Sequence, residues 1–374
     1  MITSFDDYCI HQTAQPIAQP VASDRNFYDR YWFNGFDVKA NYVFEVGLGL
    51  YPNRRVMDAH FSVAIGTRQY AFHASRRAPK ERGETWVGPL SITVEKPMRS
   101  IKVVLRPNEH KIECELRFVA ASMPHEEPQN TMYDDGHLIM QNSRFTQMGY
   151  WEGCFAVDGE RFEVKRAYGT RDKSWGVRPV GEPQGGAPGL VNAEPGVYWV
   201  WCPINFGDVA SQFGTFEDHD GLPTQLSADL VPLYASPDDI PALEVPGIQP
   251  MRNVSHKIVW RAGTRYAQSA EIQMQDGQGN HYDMQLQTLG LRFQMLGIGY
   301  NHFEWGHGYW KDELATGREE WDLDAVDPLD YQFIHNHQVV SASMGEKRGM
   351  GILETICIGR HAPSGFQDYF DGSA

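Results

Sequence analysis

Apolar and polar residues alternate with a period of two along most of this chain, which is the signature of strands with one face buried. "NYVFEVGLGLYP" (41–52) and "DAHFSVAI" (58–65) are two such runs. "SITVEKP", "SIKVVLRPN" and "KIECELRFVAA" follow within 91–121, with short turns between them. The pattern resumes in "GYWEGCFAVDGERFEVKRAYG", where Asp158-Gly159 predicts a two-residue hairpin turn. The segment 178–196 is rich in Gly and Pro and divides the chain. Beyond it "VYWVWCPINF", "SHKIVWRAG" and "GMGILETICIG" read as strands, and "QDGQGN" as another hairpin. The expectation is an all-β protein in two halves, 1–182 and 183–374. Antiparallel strands in such number hide their edges by closing into barrels. A barrel of about eight strands has room for one small ligand. The acidic stretch 312–330 carries eight carboxylates against one arginine and reads as a solvated loop with one helical turn.

Charge and composition narrow the function. Lys and Arg number 33 against 48 Asp and Glu, a formal charge of −15 with no basic tract. Nucleic acid is thereby excluded as a partner, since its phosphates demand clustered cations. No apolar run approaches the ~20 residues of a membrane span, and the opening "MITSFDDYCIHQ" is acidic where a signal peptide is basic. The chain is read as cytoplasmic, and a homodimer is compatible with it. Five scattered cysteines with no CxxC form neither a disulfide framework nor a zinc ribbon. Cys114, Cys154, Cys202 and Cys357 read as packing thiols. "GLGLYP" lacks the third glycine of a dinucleotide fingerprint, and no P-loop or GxSxG is present. No cofactor is expected.

Two clusters are candidates for chemistry. The first is "GTRDKSWGVRP" (169–179). Extended, it puts Asp172 and Ser174 on one side and Arg171, Lys173 and Trp175 on the other. An Asp facing an apolar cavity has a raised pKa and can donate a proton. Paired with Arg171 or Arg178 it is instead an ionised structural clamp. The second is "GIGYNHFEWGHGYW" (297–310), whose four glycines exclude a helix. Read as a strand, it places His302 and Glu304 on one face, with His307 beyond a bend at Gly306. An imidazole beside a carboxylate is the usual tuned acid or base near neutral pH. His335 and His337 follow as "HNH" and raise a metal site with His302, Glu304 and His307. The spacing matches no established zinc or cupin pattern, so no metal is assigned.

The run 144–179, with Asp172, two residues, then Trp175-Gly176, resembles the bacterial family that includes AttH-like proteins and carotenoid 1,2-hydratases. "DRNFYDRYWFNGFD" and "GYNHFEWGHGYW" resemble its subgroup of domains of unknown function. The resemblance implies two tandem lipocalin-like antiparallel barrels. It further implies a hydratase, isomerase or cyclase that supplies a proton inside an apolar cavity without a redox cofactor. Asp172 carries over as the proton donor, with Trp175 shielding positive charge. The expected site has Asp172, His302 and His307 as catalytic residues. Arg171, Trp175, Arg178, Glu304 and Trp310 would hold a hydrophobic or aromatic substrate. A fixed cation at Arg171 argues against a long polyene. The alternative is a non-catalytic carrier of a hydrophobic metabolite, in which 171–178 clamps the two barrels together.

Overall fold

The computed structural model describes residues 1–134, 136–178, 196–242 and 247–374. The 182/183 boundary expected within the Gly/Pro-rich segment lies outside them. The first half holds β1 (Phe27–Phe36), β2 (Tyr42–Tyr51), β3 (Val56–Ile65), β4 (Arg68–Arg77), β5 (Trp86–Val87) and β6 (Leu90–Lys96). It continues with β7 (Ser100–Leu105), β8 (Ile112–Ala120), β9 (His125–Asp134), β10 (His137–Val157) and β11 (Glu160–Val177). The second holds β12 (Val197–Asn205), β13 (Val209–Glu217), β14 (Pro223–Pro232), β15 (Gln249–Pro250) and β16 (Arg252–Trp260). It ends with β17 (Ala267–Gln275), β18 (His281–Gln294), β19 (Leu314–Asp322), β20 (Asn336–Met344) and β21 (Lys347–Ile358).

These strands form two nearly closed antiparallel barrels, so the all-β expectation holds. The first sheet runs β19-β4-β3-β2-β1-β11-β10-β8-β7-β6-β5, with β9 also on β10. The second runs β15-β14-β13-β12-β21-β20-β18-β17-β16. Asp158 and Gly159 both take positive φ (52° and 87°), joining β10 to β11 by the expected two-residue turn.

The acidic stretch departs from its reading as a loop. Residues 314–322 form β19, which crosses from the second half to pair with β4. An unpaired edge on β4 would expose a row of backbone donors and acceptors, and β19 satisfies them. Its charge is neutralised across the surface: Arg318 contacts both oxygens of Asp158 at 2.7 Å, and Glu320 meets Arg68 at 2.9 Å.

Inside the first barrel aromatic rings fill the space. Trp151 is fully buried, with Phe118, Phe44 and Phe33 at centroid distances of 5.3, 5.4 and 5.7 Å. Its indole N–H donates to the Asn34 carbonyl at 2.6 Å. A third apolar cluster joins the barrels, with Trp32, Phe36 and Val43 of the first packed on Trp199, Trp201, Phe293 and Ile352 of the second. Consequently β2 is buried along its whole length, on both faces. Trp151→Ala is expected to destabilise the protein by about 3–5 kcal/mol, from lost packing and an orphaned carbonyl. The shift in urea midpoint measures it.

Candidate functional site

The outer face of the first barrel is polar, yet it is covered. Tyr28, Arg30, Trp32 and Asn34 of β1 share that face; across the ladder, Trp32 lies opposite Asp172 on β11 and Gly47 on β2. Asp58 and His60 continue it on β3, and His73 on β4. Gly47 is needed because a Cβ there would lie 2.4 Å from an Arg30 terminal nitrogen. Gly47 of "GLGLYP" therefore makes room for a guanidinium, and Gly49 makes room for the Tyr51 ring. Over this face lie β12, β20, β21 and the segment 295–313.

Between the barrels is a cleft of about 30 Å³ lined by Trp32, Arg144, Asp172, Trp201, Met295, Tyr300, His337 and Glu354. That is room for about two waters. Asp172 is half-buried and makes no ion pair within 4 Å among the described residues. Burial pushes its carboxyl up to about 6, against the pull of the Arg144 and Arg30 guanidiniums. Arg144 itself is engaged with Glu127, which also accepts from Thr146 Oγ1 at 2.6 Å.

A chain of acid and imidazole forms the other wall. His337 Nδ1 is 2.6 Å from Glu45 Oε1, and its Nε2 is 3.4 Å from Glu354 Oε2. His335 Nε2 is 2.7 Å from Glu354 Oε1, and Trp32 Nε1 donates to Glu45 Oε2 at 2.9 Å. Burial alone would pull His337 down, but Glu45 and Glu354 outweigh it and hold it protonated. Burial likewise works to raise Glu354, and His337 and His335 override it to keep an anion. Burial does raise Glu45, against the opposing pull of His337.

The residues named from sequence do not converge on one place. Asp172 lines the cleft. Arg171 points into the first barrel, where it donates to Gln147 Oε1 at 2.8 Å and lies over the Phe145 ring. Trp175 is 42% exposed beyond the cleft, edge-on to Phe145. Arg178 borders Tyr300 and Tyr28.

The second cluster differs from the strand reading, because 299–313 contains no strand. Gly299, Asn301 and Gly308 take positive φ and fold it into successive turns. His302 is therefore buried while Glu304 is exposed, with Lys311 at 3.9 Å. Trp310 is 47% exposed under the Arg77 guanidinium. His307 donates from Nε2 to the Ile298 carbonyl at 2.8 Å and accepts from Arg178 through Nδ1 at 3.4 Å. Burial first, then Arg30 and Arg178, keep it well below the usual imidazole range. It positions Arg178 and does not line the cleft.

Two groups bring His and Glu ligand atoms within 4.8 Å of one another: His73, His302 and Glu319, and His335, His337 and Glu354. In the first, His302 Nδ1 accepts from the N–H groups of Glu304 and Trp305, both at 3.1 Å. Its proton is then on Nε2, donated to Glu319 at 2.5 Å. A metal at Nε2 would strip the ring of both protons, whereas ligating histidines normally keep one to donate outward. In the second group, His337 has the outward carboxylate partner that a ligand needs, in Glu45. A cation there would compete with the proton already held and with nearby Arg144 and Arg178. Neither matches the joint set weighed from sequence, since His302 and His337 belong to different groups.

Sequence reasoning missed Arg30, Trp32, Glu45, Arg144, Trp201, Tyr300 and Glu354. A signal existed for two of them. Glu45 and Glu354 are each the lone charge in an apolar strand run, "YVFEVGLGL" and "GILETICIG", and an unpaired charge in such a run is too costly to be incidental.

The fold and site together define a two-barrel all-β protein with an ionisable cleft between its barrels. Residues 2–367 match a family of unknown function, DUF8625, and the chain belongs to it. The chain has a low similarity to two crystal structures, CghA with Sch210972 and CghA alone. Both have a TM-score of 0.48, at 11% and 10% identity, over 89% of this chain and 88% of theirs. No curated protein matches by sequence. Among the described residues no helix is long and apolar enough to cross a membrane.

Asp172 has a consequence for stability. Its folded pKa exceeds the unfolded value of about 4, so the native state binds the proton more tightly. Stability then falls as pH rises from about 4 to 6, and the cost persists above that. Asp172→Asn should raise stability by about 1–2 kcal/mol at pH 7.5, a gain of about 2–4 °C in melting temperature. Near pH 4 the gain should vanish. A clamp between barrels would instead lose stability at pH 7.5.

Proposed function

We propose that the cleft is the active site of an acid–base enzyme that isomerises, hydrates or dehydrates a small molecule with an apolar or aromatic body. The observation that carries the reading is the opposition of two walls. Asp172 stands open to the cleft without an ion-pair partner, and the proton-holding Glu45–His337–Glu354 chain faces the same space. Groups whose surroundings drive their pKa values apart divide into acid and base. Above about pH 6 Asp172 is a carboxylate able to accept a proton, while His337 is an imidazolium able to return one. The donor role expected for Asp172 then applies below about pH 6, and at neutral pH His337 takes it. Trp32 and Trp201 exclude water from the reacting atoms and offer ring faces to developing positive charge. The cleft accepts a substrate only as these side chains part.

The resemblance to hydratases of isoprenoid double bonds agrees with chemistry that needs protons and no redox group. A carrier has less support, because aromatic side chains occupy the interior of the first barrel where a lipocalin holds its ligand.

The test is incubation with a small-molecule extract in D₂O, read by mass spectrometry for products and for deuterium incorporation. Asp172→Asn should lower any such activity by about 10²-fold or more, with its fold intact by circular dichroism. In the wild type the rate should fall about tenfold per pH unit below pH 6. Full turnover in the variant would sink the reading. A stoichiometric transition metal in the active protein would replace it with Lewis-acid chemistry at His335, His337 and Glu354.

A further inference from the structure

Beside the cleft lie two guanidiniums, each with a buried Nε that meets no acceptor. Arg30 is 1% exposed, and neither it nor Arg178 has a carboxylate within 4 Å among the described residues. Both guanidiniums lie over the ring of Tyr300, at 5.1 and 5.6 Å from its centroid. Arg30 donates to the Tyr300 hydroxyl at 2.9 Å and to the Ile298 carbonyl at 3.2 Å. Arg178 lies 4.6 Å over the Tyr28 ring. The Nε atoms of both arginines and the hydroxyl of Tyr28 are buried with no hydrogen-bond partner.

That arrangement is costly unless something answers it. A buried guanidinium ordinarily meets an anion, as Arg144 meets Glu127 and Arg265 meets Asp371. The nearest acid on this face, Asp58, spends one oxygen on the Gly308 N–H at 2.6 Å and forms no ion pair with Arg30. Tyr300, on which both cations converge, is itself a wall of the cleft. Two of the unsatisfied groups are guanidinium donors, the buried Asp58 Oδ1 pairs with neither of them, and planar guanidinium is the side chain best fitted to carboxylate and phosphate.

We propose that Arg30, Arg178 and Tyr300 bind an oxyanion of the substrate, so that the molecules processed are organic anions held by a carboxylate or phosphate with the reacting atoms toward Asp172. His307 serves as a positioning residue, holding Arg178 through Nδ1. The proposal rests on the proton-transfer reading of the cleft and adds what its substrate must carry.

Isothermal titration with benzoate, phenyl phosphate and benzamide, in buffer free of sulfate and phosphate, tests it. One or both anions should bind at least tenfold more tightly than the neutral amide, and the tighter of the two identifies the group. Arg178→Gln and Tyr300→Phe, with folds checked by circular dichroism, should each weaken the anion about tenfold or more, and Arg178→Lys should recover part of the loss. Asp172→Asn, which removes a like charge, should bind the anion at least as tightly. Equal affinity for benzoate and benzamide, binding of none of the three, or an anion affinity unchanged in Arg178→Gln overturns the proposal. Asp172-dependent turnover would survive that result with a neutral substrate, so the two failures are distinguishable.

Discussion

Burial of a polar sheet face is the constraint on which the rest of the structure depends. The first barrel keeps its inside dry with Phe33, Phe44, Phe118 and Trp151, as a closed sheet should. Its outside then carries Arg30, Glu45, Asp58, His60, His73 and Asp172, and much of that surface never sees water. Each charge on it loses several kcal/mol of hydration, which only close partners can offset. The second half supplies them: His337 for Glu45, and the segment at 295–313 for Arg30, Asp58 and His73. The barrels are joined by Trp32, Trp201 and Phe293, and their polar contacts fix how the surfaces register.

This explains which parts of the chain were readable. Strand alternation carried the barrels because their interiors obey it: in β8, Ile112, Cys114, Leu116 and Phe118 face inward while Glu115 and Arg117 face water. The Asp158-Gly159 turn carried the β10–β11 hairpin. The same alternation misled on β3, where Asp58, His60 and Ser62 occupy the parity of a solvent face and are buried by chain more than 200 residues away. No local pattern encodes that cover. Residues 297–310 failed differently. Glycine at 299 and 308 marks conformations with positive φ, and those dictate turns before any face can be defined. Residues 314–322 failed because their partner, the edge of β4, lies in the other half.

Asp172 lines the cleft for a reason that strand alternation carries, whatever becomes of its neighbours. A strand that places Arg171 inside a barrel must place Asp172 outside it, since successive side chains point to opposite faces. The two never pair, and Arg171 is answered by Gln147 and aromatic rings instead. Whether the outward acid met solvent or a cleft depended on what the second half laid over it.

A purely structural account must explain why the interface leaves charges unequal to their contacts. Glu127 is met by Arg144 and Thr146, and Glu354 by His335 and His337. These groups have all that burial demands of them. Asp172 has no ion pair, and the Nε atoms of Arg30 and Arg178 have no acceptor. An interface selected for adhesion alone would replace such groups with apolar residues at little cost or with a gain. Under the proposed reading, an acid and two guanidiniums left incomplete around Tyr300 are what a site built for a transient occupant retains. On that reading the second barrel does more than cover the first: it completes the permanent charges and leaves open those that the proposed substrate would complete.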